Sequence, residues 1–113
     1  MGAYTFGGRV VLGGGAQTLK ALLETLPLVL PKINAVRGFA TVSMRADPTN
    51  AGPVYWSDDP AVTTSNELRC GYLIANGTVG EAYNVSVRSH VGLEGIVLVG
   101  TPEDAVFLFL TEA

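Results

Sequence analysis

Charge is scarce in this sequence. Asp, Glu, Lys and Arg make up 15% of its 113 residues, against roughly 25% in an average soluble domain. So little charge predicts that part of the surface is covered in an assembly, although a compact β domain with a Ser/Thr/Asn surface would look similar. The formal net charge is −3 and the pI about 4.9. That balance lacks the cationic surface on which nucleic-acid binding depends. A single cysteine, Cys70, excludes an internal disulfide and a cysteine-rich zinc site. Cys70 is read as a small apolar residue, buried or half-buried. The one histidine, His90, is the sole base a catalytic thiol could use, and no flanking signature accompanies either residue. No stretch holds 18 consecutive apolar residues, so no membrane-spanning helix is expected. The opening Met1-Gly2-Ala3-Tyr4-Thr5-Phe6 has neither the basic nor the apolar region of a signal peptide. Phe6 also stands where a myristoylation site needs Ser or Thr. The sequons at Asn76 and Asn84 therefore carry no expectation of glycosylation.

What is present is apolar and rich in turn formers: 48% hydrophobic residues, 14 Gly and 6 Pro. The length fits one domain, residues 1–113, large enough to bury a core without metals or disulfides. Residues 6–12 read as a short strand weakened by Gly7 and Gly8 and ended by Gly13-Gly14-Gly15. That triplet lacks the Gly-Lys-Ser/Thr ending of a phosphate loop, so residues 1–15 are expected to form a flexible Gly-rich arm. Residues 16–25 are the one expected helix: Leu19, Leu22, Leu23 and Leu26 share a stripe of the kind that is usually core, with partner binding the alternative, and Pro27 stops it. The Pro27 to Pro31 stretch argues against a central strand there.

Residues 36–46 alternate cleanly. Val36, Ala40, Val42, Met44 and Ala46 take one face, and Arg37, Phe39, Thr41, Ser43 and Arg45 the other, the mark of a half-buried antiparallel strand. The cluster Asp47-Pro48-Thr49-Asn50-Ala51-Gly52-Pro53 is turn chemistry. It predicts a hairpin back along residues 54–57, which hold the only Trp, Trp56. Residues 68–74 read as a weak strand, Asn76-Gly77 as a tight turn, and residues 81–87 as an alternating strand with Tyr83, Val85 and Val87 on one face. Residues 96–99 and 105–110 are apolar on both faces and joined by a short loop, which predicts a second hairpin. Such strands are covered on both sides, within a sandwich or by another subunit. Regular strands with Gly/Pro/Asn turns give the expected class: mainly β, an antiparallel sandwich with one short helix.

Chemistry-bearing groups are sparse. Asp58-Asp59 with Asp47 and Asn50 offer oxygen ligands but not the spacing of a calcium loop. Neighbouring carboxylates such as Asp58-Asp59 or Glu103-Asp104 point to opposite sides of a strand and cannot share one bond as acid and base. No Gly-x-Ser-x-Gly elbow occurs. No enzyme activity, metal or cofactor is therefore expected. Tyr55, Trp56, Tyr72 and Tyr83 are candidates for a sugar or peptide groove, though strand aromatics more often lie in cores or interfaces.

Several stretches together resemble a family of small virion proteins of tailed bacteriophages. They are Ala46-Asp47, Asn50-Ala51-Gly52-Pro53-Val54-Tyr55, Val62-Thr63-Thr64-Ser65, the turn Gly71-Tyr72-Leu73-Ile74-Ala75-Asn76-Gly77, and the ending Ile96-Val97-Leu98-Val99-Gly100-Thr101-Pro102-Glu103-Asp104-Ala105-Val106. The likeness covers about two thirds of the chain and rests on turn chemistry spaced along strands. Trp56-Ser57-Asp58-Asp59 departs from the pattern, and the leucine-rich stretch 19–30 has no counterpart in it.

The resemblance implies a capsid cement, decoration or head-fibre-base protein. It would have a jelly-roll-like sandwich, form homotrimers, and sit on the virion exterior against the major capsid protein after synthesis in the host cytoplasm. Neither nucleic acid nor membrane would be a partner. The alternative is a tail, baseplate or fibre module that binds a receptor or glycan. Expected interface residues are Tyr4, Phe6 and Arg9 in the arm, Leu19, Leu22 and Leu26 in the leucine stripe, and Tyr55, Trp56, Phe107 and Phe109 at subunit contacts.

Overall fold

A computed structural model of the chain describes residues 4–26, 36, 38–73, 83–88 and 90–112. Over these residues the strands are β1 (Tyr4–Val11), β2 (Gln17–Thr18), β3 (Phe39–Ala46), β4 (Val54–Ser57), β5 (Gly71–Leu73), β6 (Tyr83–Arg88), β7 (Val97–Val99) and β8 (Ala105–Glu112). One helix, α1 (Leu19–Glu24), follows β2, and a 3-10 turn (His90–Glu94) precedes β7. The strands form two four-stranded antiparallel sheets, in the orders β1-β8-β3-β6 and β2-β7-β4-β5. The Asn76-Gly77 turn, the Pro27 to Pro31 stretch, and residues 1–3 of the expected arm lie outside the described residues.

One apolar cluster draws on both sheets. Val10, Val42, Met44, Leu108 and Leu110 come from the first, and Val54, Leu73 and Leu98 from the second. The alternation holds through Phe39–Ala46: Ala40, Val42, Met44 and Ala46 are buried, Phe39, Thr41 and Arg45 are exposed, and Ser43 is half-buried. Helix α1 is shorter than residues 16–25 because Gln17 and Thr18 pair with Leu98 and Val97. Thr18 then caps the helix, its hydroxyl accepting from the Ala21 N–H at 3.0 Å, and so satisfies one of the helix's orphan donors.

Neither expected hairpin forms. Strand β3 lies in the first sheet and β4 in the second, and β7 and β8 are likewise divided between the sheets. The reason is in the connections, whose polar side chains bond across the molecule rather than within a turn. The Asp104 carboxylate accepts the N–H groups of Ala51 at 2.8 Å and Gly52 at 3.1 Å. Asn50 brackets Ala105, its amide donating to the Ala105 carbonyl and its oxygen accepting the Ala105 N–H, both at 2.8 Å. The Asp47 N–H donates to the Ala105 carbonyl, and Leu12 exchanges backbone bonds with Glu103 and Asp104. Both Asp47 and Asp104 are buried, which is tolerable because donors surround them.

The two strands read as apolar on both faces are covered in different ways. In β7, Leu98 enters the main core, while Val97 and Val99 meet Val62, with Leu68 and Tyr55 alongside. The segment that supplies Val62 and Leu68 is knit by Asn66, whose side chain bonds Ala61, Thr63 and Leu68. In β8, the alternate residues Phe107 and Phe109 face outward, half-buried and exposed respectively.

Within the expected flexible arm, Tyr4–Val11 is an edge strand paired with β8 from Tyr4↔Glu112 to Val11↔Ala105. Gly7 makes this possible. Its φ is +153°, and a Cβ there would run into the Leu108 carbonyl oxygen, so an L side chain would be strained on both counts. Gly7→Ala should therefore destabilise the fold by about 1–3 kcal/mol, read by urea unfolding; an unchanged midpoint would show that β1 does not hold this register. Asp104→Ala, which strands the two N–H groups of the corner, should cost about 2–3 kcal/mol in the same assay.

Candidate functional site

An antiparallel sheet with one face on a core usually shows a polar face to water. The outer face of β1-β8-β3-β6 does not follow that rule at its centre. Strand register arranges its side chains in rows. In one row Phe107 stands between Arg9 on β1 and Arg45 on β3. In the next, Phe109 stands between Gly7 and Ser43, with Asn84 beyond. Gly7 has no side chain and Ser43 a short one, so these two strand neighbours give the Phe109 ring little cover, and it is 43% exposed. Phe39, 66% exposed, pairs in register with Arg88, whose guanidinium lies 5.8 Å from the ring centroid. A groove of about 420 Å³ runs along this face, lined by Ser43, Arg45, Pro48, Phe107 and Phe109.

The arginines differ in their engagement. Arg9 Nε donates to Asp47 Oδ2 at 2.8 Å. The other Asp47 oxygen accepts the Thr49 hydroxyl at 2.6 Å and the Thr49 N–H at 2.8 Å. The Thr49 hydroxyl, then Arg9, then the Thr49 N–H hold the Asp47 carboxyl down at about 2, from an ordinary 3.8, against a smaller opposing effect of desolvation. Arg45 is exposed and forms no ion pair or side-chain hydrogen bond within the described residues.

Of the sequence-predicted interface residues, this face brings together Arg9, Phe107 and Phe109. It adds Phe39, Ser43, Arg45 and Pro48, which the expected site omitted. The face of residues 37–45 was visible in the alternation, but nothing in the sequence reveals that β3 lies against β8. Other predicted contacts are corrected by burial. Phe6, Leu19 and Leu22 belong to the core, where the leucine stripe meets the main apolar cluster. Leu26 is half-buried over Gly8. Tyr4 is in β1, and its side chain lies outside the described residues. Tyr55 and Trp56 do not share a surface, because neighbours on a strand point oppositely. Trp56 packs against the main core, close enough to Gly71 that a Cβ there would strike its indole.

Tyr55 instead belongs to a second, smaller patch on the other sheet. The Arg69 guanidinium lies 5.0 Å from its ring centroid, and Tyr72 meets it edge-on at 6.4 Å. Tyr72 is 61% exposed. Arg69 is held in place by the carbonyls of Asn66 at 2.7 Å and Thr64 at 3.2 Å.

Of the oxygen groups weighed and set aside as ligands, three are engaged within the fold. Asp47 and Asn50 build the corner described above, and Asp59 accepts the Ala61 N–H at 2.9 Å. Among the described residues no group of three or more His, Cys, Asp or Glu is placed to hold a metal ion. Cys70 is exposed, not buried as expected, because it precedes the short edge strand β5 rather than lying inside a core strand. The side chain of His90 and that of Tyr83 lie outside the described residues. No known family model matches the chain, and no curated protein matches it.

The ionised Asp47 carboxylate ties the rim of the aromatic face to the corner, and its low pKa makes that tie acid-sensitive. Its contribution to stability is whole above pH 3.8 and is lost as pH falls through about 2. Between those limits the wild-type urea midpoint should fall more steeply than that of Asp47→Asn, which starts lower at neutral pH. Parallel pH profiles for the two proteins would show that the ionised Asp47 carboxylate adds nothing to the fold.

Proposed function

We propose that this chain is a structural virion protein, a capsid cement or decoration protein of a tailed bacteriophage. In this reading it binds the outer surface of the head and adds buried contact between major capsid subunits. It is a homotrimer, and symmetry and avidity multiply each weak contact. The observation that carries the reading is the aromatic pair Phe107 and Phe109, which faces solvent at the middle of a sheet. An apolar face so placed is a site of association.

Two further observations support it. The strand orders β1-β8-β3-β6 and β2-β7-β4-β5 support reading the two sheets as a jelly-roll sandwich, a fold used by capsid proteins and also by lectins and cupins. In addition, the motif residues behind the phage resemblance meet at one corner. Asp47, Asn50, Gly52 and Asp104 are all joined there by hydrogen bonds. The corner favours a shared fold; the exposed face favours assembly.

A second reading has its own observation. Tyr55, Tyr72 and Arg69 form a preorganised aromatic and cationic patch, the kind of surface on which a sugar ring stacks in a tail or fibre module. Glycan-array binding lost in Tyr72→Ser would favour that reading over the first.

Light scattering across a dilution series should give a mass near three times 11.8 kDa; a monomer at every concentration would remove self-assembly from the proposal. The purified chain should also co-sediment with expanded empty shells of its phage. Phe107→Ser/Phe109→Ser should weaken that binding by about tenfold or more with unchanged circular dichroism. Shell binding that ignores both rings would discard the aromatic face as the contact.

A further inference from the structure

We infer that the outer face of β1-β8-β3-β6 receives a protein segment that carries a carboxylate beside an apolar side chain. The inference deepens the decoration reading and rests on it only for the partner's identity as a shell protein. It starts from a charge imbalance. The chain as a whole is acidic, at −3, yet the outward positions of these four strands hold Arg9, Arg45 and Arg88 and no carboxylate. Asp47 at the rim is already engaged by Arg9 and Thr49, and Arg88 lies over Phe39. Arg45 has neither kind of partner among the described residues, and it lines the groove beside Phe107 and Phe109.

A guanidinium is a planar fork that matches a carboxylate through two parallel hydrogen bonds. Against a partly apolar wall that pairing is less screened than in open water. The groove therefore offers two matched features side by side: an apolar slot between the rings and a cation at its edge. The same imbalance argues against a second copy laid face to face, since that would set arginines against arginines. The shallow neighbours of Phe109, Gly7 and Ser43, leave room for a side chain to lie along the ring.

The test uses the full-length chain, isotope-labelled for NMR, and three 12-residue peptides: alternating Asp/Phe, alternating Lys/Phe, and alternating Asp/Ser. A 12-nucleotide oligothymidine is the fourth probe. Only the Asp/Phe peptide should shift the amides of Arg45, Phe107 and Phe109. Its affinity should fall about tenfold in Arg45→Glu and in Phe109→Ser, and also weaken between 0.05 and 0.5 M salt, at roughly the ionic strengths where screening becomes strong. Tyr72→Ser, on the other sheet, should bind like wild type, and unfolding midpoints of all variants check that they fold.

Four results would overturn the inference. Equal shifts with Lys/Phe would make the face merely apolar, and shifts with the oligonucleotide alone would make the partner a nucleic acid. Concentration-dependent shifts at these residues without any probe would make the partner a second copy. No localised shift at millimolar Asp/Phe peptide would remove the site. The decoration reading fails separately. If the peptide binds but shells do not, the chemistry stands and the virion role falls. If shells bind and Arg45→Glu does not matter, the role stands and the chemistry falls.

Discussion

Everything in this fold hangs on two buried carboxylates at one corner. Asp104 and Asp47 lie on different connections, each less than a tenth exposed. A buried carboxylate without donors would be strongly unfavourable. Here the donors are backbone N–H groups of the facing connection, a Thr hydroxyl, and Arg9. The Asp104 bonds, and those of Asn50 to Ala105, can be made only if the connection after β3 lies against the connection before β8. That one requirement places β4 in the second sheet, brings β8 beside β3, and leaves Leu12 to bond Glu103 and Asp104 at the end of β1. The corner thus does for this chain what a disulfide does in other small domains, by joining segments more than fifty residues apart.

The arrangement of sheets then decides which apolar residues are core and which are surface. Strand β7 is covered on its second side by the chain's own Val62 and Leu68. Strand β8 has no such cover over Phe109 among the described residues, and β1 and β3 set Gly7, Arg9, Ser43 and Arg45 beside Phe107 and Phe109. Two strands that look alike in composition therefore have opposite fates.

Local patterns carried through where one element sufficed to read them. The period of two in residues 36–46 matched the burial of Ala40, Val42, Met44 and Ala46. The leucine stripe is a helix face, although it belongs to the core and not to a partner. Misreadings arose where the sequence offers only neighbours in order. Asp47 to Pro53 has hairpin chemistry, but Asn50 bonds Ala105 rather than its own strand ends. Glycines at 7 and 8 looked like weakness in a strand or arm, whereas Gly7 is what lets β1 approach Leu108. The candidate site was half legible for the same reason. Phe107, Phe109 and Arg9 stand out as large groups in the sequence, while Arg45 and Ser43 acquire meaning only beside β8.

From its sequence alone the chain reads as mainly β with one leucine-striped helix, little charge, and turn clusters rich in Asp, Asn, Gly and Pro. Those properties follow from side-chain periodicity and backbone preference, which act over a few residues. Tertiary structure alone decided which strands pair, which carboxylates are buried, and that three arginines and three phenylalanines share one outward face. Those outcomes depend on bonds between residues far apart in sequence, and no local period records them.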